Sequence, residues 1–305
     1  MAGAVTGALA AVVLAGSGCS TGGPVAAAGS GLIEAVGAES QYANVLSQIG
    51  SRYVYVSALL SNPNTDPHSF EASPQVAQEI GLARLVVQNG VGYDSWINTI
   101  ESAAPNPGRK VIVAQQLLGL PDSTPNPHLW YDPKTMPAVA NRITADLADI
   151  QPAHRAYFEA NLRKFDASMK PWLDAIARFK AAHRGVTAAT TEPVADYLLT
   201  AMGIDNLTPF RFQADIMNGV DPSPEDIAFV NGLFRQHKVR LFAYNQQVVD
   251  SLTESIRQNA IRVGVPVVGV YETMPAPGYD YQSWMLAEVT AIEKAVTSKM
   301  STQRL

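Results

Sequence analysis

The chain has 305 residues, about twice the usual domain size, which suits one large α/β unit or two lobes. With 47% hydrophobic and 16% charged residues, the composition excludes a disordered chain and a polytopic membrane protein. The net charge of -5 argues against a nucleic-acid partner, and a single cysteine permits neither an internal disulfide nor a C-x-x-C metal or redox pair.

In chain order, Ala4 to Gly16 is a mostly apolar run, too short to span a bilayer but suited to the core of a signal peptide. It leads through Ser17-Gly18 to Cys19. An only cysteine placed directly after an apolar stretch and small residues resembles a bacterial lipobox, which implies acylation of Cys19 and a lipid anchor. Gly16 stands where that motif prefers a branched apolar residue, and no Lys or Arg precedes Arg52. Thr21 to Ser30 has the composition of a flexible tether. Residues 1–30 are therefore expected to form signal peptide, lipobox and tether.

From about Gly31 short apolar runs alternate with helical stretches, the pattern of βαβ units on a largely parallel sheet. One set of strands is expected at Leu32–Val36, Tyr53–Val56, Arg84–Val87 and Val111–Val113, and a second at Val186–Ala189, Arg240–Tyr244 and Pro266–Val270. Between the sets, Phe158, Leu162, Phe165, Met169, Leu173, Ile176 and Phe179 recur at spacings of three and four, predicting one long helix with a kink at Pro171. The fold class is α/β: two βα sandwich lobes with largely parallel sheets joined by one long helix. The boundaries are 31–150 for the first lobe, 151–184 for the linking helix and 185–305 for the second lobe. Ser223-Pro224-Glu225-Asp226 reads as an N-cap, an N1 proline and a capping-box acid.

Two of the five histidines occupy matched settings, Asp66-Pro67-His68-Ser69-Phe70-Glu71 and Asn126-Pro127-His128-Leu129-Trp130. Proline stiffens each connector, so both imidazoles are presented on ordered loops, as a preorganised ligand requires. His154 and His183 fall near the ends of the long helix and His237 lies in a charged run, so these three are expected to be solvated. In the second lobe, Glu192 follows the Val186–Ala189 strand and Glu272 follows the last strand. Open α/β sheets place ligands outside the C-terminal ends of their strands.

These motifs, with Leu85-Val86-Val87-Gln88-Asn89-Gly90 ahead of Trp96 and with Pro133 after Trp130, resemble the metal-specific solute-binding proteins of bacterial ABC importers (cluster A-I, which handle manganese, zinc or iron). The resemblance covers nearly everything after the tether. It implies two lobes joined by one helix and a metal site of His68, His128, Glu192 and Glu272, with Asp280 the competitor of Glu272 for the fourth position. It also implies a monomeric extracytoplasmic carrier, not an enzyme, that delivers Mn²⁺ or Zn²⁺, or Fe²⁺, to a membrane permease. Two imidazoles and two carboxylates lean toward Mn²⁺ or Fe²⁺, although the Irving–Williams order favours Zn²⁺ in any such set. Residues 114–127 hold no histidine, unlike the His-rich loop of many zinc-specific members. The alternatives are a metal-dependent hydrolase, for which no H-E-x-x-H, G-x-S-x-G or P-loop is present, and an adhesin-type surface lipoprotein.

Overall fold

The computed structural model describes residues 1, 3, 31–64, 67–275 and 278–305. Apart from Met1 and Gly3, the proposed signal peptide and tether lie outside the described residues, as do Cys19 and Asp66. No helix among the described residues is long and apolar enough to cross a membrane.

Two four-stranded parallel sheets form the frame. The first contains β1 (Ile33–Glu39), β2 (Val54–Leu60), β3 (Leu85–Gln88) and β4 (Lys110–Val113) in the order β2-β1-β3-β4. The second contains β5 (Thr187–Thr190), β6 (Asp205–Asn206), β7 (Leu241–Asn245) and β8 (Val267–Val270) in the order β6-β5-β7-β8. Each strand anticipated from the apolar runs is present within a few residues. The two-residue edge strand β6 had no apolar run to announce it, and its residues Asp205 and Asn206 are polar.

The helices of the first lobe are α1 (Ser40–Gly50), α2 (Pro74–Leu82), α3 (Trp96–Ala103), α4 (Ala114–Leu117) and α5 (Thr135–Ile150). The long α6 (Arg155–Ala182) then leads to α7 (Asp196–Met202), α8 (Phe210–Met217), α9 (Pro224–Arg235), α10 (Ser251–Arg262) and α11 (Tyr281–Ser298). Ser223 caps α9 by accepting from the Asp226 amide, with Pro224 at the first helical position. α6 continues through Pro171, so the anticipated kink does not interrupt the helix.

The apolar stripe of α6 contributes Phe158, Phe165, Met169, Trp172, Ile176 and Phe179 to one core that also takes in α1 and α5 of the first lobe and α7, α11 and β8 of the second. Smaller apolar clusters cover the other face of each sheet: Val36, Ile80, Val86 and Ile97 in the first, and Phe212, Val230, Phe234, Phe242 and Val267 in the second. The lobes therefore share a continuous hydrophobic interior along their connecting helix. At Gly37 a Cβ would meet the Ala43 backbone nitrogen at 2.3 Å, so only glycine lets α1 approach β1 this closely.

In both sheets the chain steps to one side of the first strand, then crosses to the other, leaving a switch point between β1 and β3 and between β5 and β7. This is where open α/β sheets form crevices at their C-terminal edge. The connections after β2, β3, β5 and β8 carry His68, Tyr93, Glu192 and Glu272, that between α4 and α5 carries His128, and the last residue of β7 is Asn245.

A candidate metal centre between the lobes

His68 and His128 from the first lobe and Glu272 from the second offer ligand atoms that all lie within 4.8 Å of one another. The Nε2 atoms of both histidines sit 3.3 Å from the same oxygen, Glu272 Oε2. His128 and Glu272 are fully buried, whereas the His68 side chain retains 25% of its exposure.

The tautomer of His128 follows from its surroundings. Its Nδ1 lies 2.9 Å from Asn126 Oδ1, which can only accept, so Nδ1 carries a hydrogen and Nε2 is the nitrogen that faces the cluster. Asn126 is itself oriented by donating through Nδ2 to the Pro193 carbonyl at 2.7 Å. One side chain thus aims a first-lobe histidine and grips the loop that carries Glu192. Tyr197 adds a hydrogen bond to the Asn126 carbonyl at 2.9 Å.

Glu272 is held at every polar atom. Its amide donates to Gln247 Oε1 at 2.6 Å, its carbonyl accepts from Gln41 Nε2 at 3.2 Å, and Oε2 accepts from the Tyr93 hydroxyl at 2.8 Å. Burial pushes the Glu272 carboxyl up, yet the two imidazoles outweigh it and hold the group well below its ordinary value. Burial lowers the His128 imidazole, opposed by its contact with Glu272. Glu272 is therefore held ionised beside the two imidazoles, and a divalent transition metal binds such a set with the imidazoles neutral.

Glu192 is buried after β5 and is not within the three-residue cluster. It reaches the cluster through Asn245, whose Nδ2 donates to Glu192 Oε1 at 3.0 Å and to Glu272 Oε1 at 2.7 Å. Asp280 is elsewhere: its Oδ1 accepts from the Ser283 amide at 2.8 Å in the capping box of α11.

Tyr93 and Asn245 escaped the sequence reading. Tyr93 sits in Asn89-Gly90-Val91-Gly92-Tyr93-Asp94, a turn closed by Asp94, whose carboxylate accepts from the Asn89 and Gly90 amides at 2.5 and 2.9 Å. Gly90 and Gly92 take positive φ here, and so does Val91 at 55°, a conformation β-branched residues rarely adopt. The turn packs the Tyr93 ring edge-on to His68, His128 and Trp130, with centroids 5.4, 5.8 and 5.2 Å away. A Gly-x-Gly-Tyr run after a strand was the available signal.

The remaining histidines divide differently from the expectation that all three are solvated. His237 is exposed, but His154 is half-buried and stacks on Tyr53 with centroids 3.7 Å apart, and His183 is half-buried against Phe179 at 4.7 Å. Both lie against aromatic rings at the ends of α6.

Residues 36–295 match the family described as ZnuA, zinc-uptake complex component A, periplasmic. The chain is 21% identical over 220 residues to the high-affinity zinc uptake system protein ZnuA of Bacillus subtilis, covering 65% of this chain and 67% of that protein. It is 21% identical over 208 residues to the iron-binding protein YfeA of Yersinia pestis, covering 65% and 64% respectively. The fold is similar to that of the solute-binding protein FpvC of Pseudomonas aeruginosa in complex with Mn²⁺, with TM-score 0.72, 21% identity, and coverage of 88% of this chain and 99% of that one.

Proposed function

Since the chain belongs to the ZnuA family of periplasmic metal-uptake components, we propose that it captures one divalent transition-metal ion outside the cytoplasm and delivers it to an ABC importer permease. The observation that carries this reading is the convergence of His68, His128 and Glu272 from opposite lobes onto one point. On this reading His68, His128, Glu192 and Glu272 are the ligands. A small shift of the Glu192 loop completes the set, because Asn245 already ties that acid to Glu272.

The partly exposed His68 marks the route of entry. A recess of about 310 Å³ lined by His68, Tyr93 and Trp96 of the first lobe and by Met217 and Asn218 of the second opens beside it. His128, Glu192 and Glu272 wait in a dry interior, where charge attraction is strong and a bound cation is shielded from competing water. Tyr93 and Asn245 offer the acids hydrogens rather than a base, so the site is equipped to hold an ion and not to activate a water upon it. The cargo belongs to the Zn²⁺, Mn²⁺ and Fe²⁺ group, the ions that imidazole and carboxylate ligands accommodate together.

Equilibrium dialysis of the purified chain against Zn²⁺, Mn²⁺ and Fe²⁺, with metal counted by mass spectrometry, tests this reading. One equivalent per chain is expected, lost in His68→Ala, His128→Ala and Glu272→Ala. Stoichiometric binding that survives all three changes would place the cargo elsewhere. For cellular placement, Cys19→Ala should move the protein from the membrane fraction to the soluble one with metal binding intact. Continued membrane association would dismiss the lipid anchor alone.

A further inference from the structure

We propose that Asn245 is a positioning residue that confines Glu192 and Glu272 to one metal-facing oxygen each, and that this count tilts the site toward four-coordinate Zn²⁺ against Mn²⁺. The inference rests on the carrier reading above and concerns how that site selects its ion.

Asn245 is completely buried at the end of β7, and its side chain has no freedom to turn. Its amide donates to Thr191 Oγ1 at 3.0 Å, and its Oδ1 accepts from the Gln247 amide at 3.0 Å. With Oδ1 engaged by an N–H, Nδ2 must point the other way, toward the acids. A side-chain amide nitrogen has two hydrogens. Here one goes to Glu272 Oε1 at 2.7 Å and the other to Glu192 Oε1 at 3.0 Å. The oxygen of Glu272 that faces both imidazoles is the other one, Oε2, steadied by Tyr93.

The hydrogen bond takes one lone pair of Oε1 and holds that oxygen turned toward Asn245, so bringing it to a cation as well as Oε2 would strain a buried, charge-assisted bond. Both acids are tied by the same nitrogen, so both are held to one oxygen. Two imidazole nitrogens and two single oxygens make four donors, the tetrahedral number that suits Zn²⁺. Mn²⁺ favours octahedral surroundings rich in oxygen and would need one or both acids to bind through two oxygens. The type of ligand leans toward Mn²⁺ while the number of available oxygens leans toward Zn²⁺, and Asn245 sets the second quantity.

The test uses Co²⁺ as a coordination probe in the full chain, because its visible absorption is strong when four-coordinate and weak when six-coordinate. Asn245→Asp keeps the acceptor for the Gln247 amide and the side-chain volume but removes the donor; Asn245→Ala removes both. Wild type should show the strong band. Each variant should lose at least threefold in absorbance per bound Co²⁺. The ratio of Zn²⁺ to Mn²⁺ dissociation constants should move at least tenfold toward Mn²⁺, a ratio in which the added charge of the Asp variant largely cancels. An unchanged band and ratio in Asn245→Ala would overturn the assignment, and so would six neighbours around Zn²⁺ in the wild type by X-ray absorption, a measurement that needs no variant. Failure of the wild type to take up Zn²⁺ or Co²⁺ at all would instead overturn the carrier reading.

Discussion

The hydroxyl of Tyr93, on the loop after β3, donates to Oε2 of Glu272, on the loop after β8, across a distance of 2.8 Å and a sequence separation of 179 residues. This bond joins the lobes at the candidate ligand itself. It fixes which lone pair of Oε2 remains for a cation.

Replacing Tyr93 by Phe keeps the ring between His68, His128 and Trp130 and removes only that hydrogen bond. Groups that orient metal ligands typically contribute 10- to 100-fold in affinity. Tyr93→Phe should therefore bind Zn²⁺ at least tenfold more weakly in chelator competition, with an unchanged melting temperature for the metal-free form. Equal affinity would mean that packing alone orients Glu272.

If Glu192 is the fourth ligand, as proposed, replacing it by His supplies a third nitrogen donor and removes one of the two negative charges that hard cations use. The ratio of dissociation constants should shift at least tenfold toward Zn²⁺ over Mn²⁺, or about 1.4 kcal/mol. Competition titration of both proteins with both metals measures it, and an unmoved ratio would assign selectivity to loop geometry.

Glu288 offers a prediction in pH. It is fully buried on α11, its Oε1 accepts from Trp284 Nε1 at 3.1 Å and from the Tyr131 hydroxyl at 3.2 Å, and burial pushes its carboxyl up to about 8. The folded state holds this proton more tightly than the unfolded state, whose carboxyl titrates near 4.5. The contribution to stability is thus complete below about pH 4.5 and declines as pH rises toward 8, by at most about 1.4 kcal/mol per pH unit. Glu288→Gln keeps the shape and cannot ionise. Denaturant unfolding at pH 5, 6, 7 and 8 should show the variant gaining on wild type as pH rises, and parallel curves would rule out a protonated Glu288.

The shared core along α6 bears on motion. Trp172, Phe165 and Met169 are buried in a cluster that reaches both lobes, and rotating the lobes apart would open that packed interior. Metal-free and metal-bound crystal structures should differ by small tilts and by movement of the loops bearing His68 and Glu192, without the wide hinge opening of multi-strand linkers. A large rotation between the two forms would contradict the helix as a rigid waist.

Much of the frame was legible in the chain because parallel strands buried on both faces read as short apolar runs, and because α6 carries its stripe at spacings of three and four. His68 and His128 stood out by their matched proline-stiffened loops, and Glu192 and Glu272 by following strands. Those are local features, written within a few residues. Asp280 and Glu272 were competitors by sequence, eight positions apart. Only the fold separates them: Asp280 caps α11 while Glu272 turns inward between the lobes. Tyr93, Asn245 and Glu288 belong to the same class of decision. Their contacts to Glu272, Glu192 and Tyr131 span 179, 53 and 157 residues, and no periodicity or capping rule reaches so far. The sequence determined which groups stand at the strand ends; the packing of two sheets around α6 decided that Glu272 turns Oε2 to the imidazoles and that both acids turn Oε1 to Asn245, because hydrogen-bond partners are chosen by proximity in the folded interior and not along the chain.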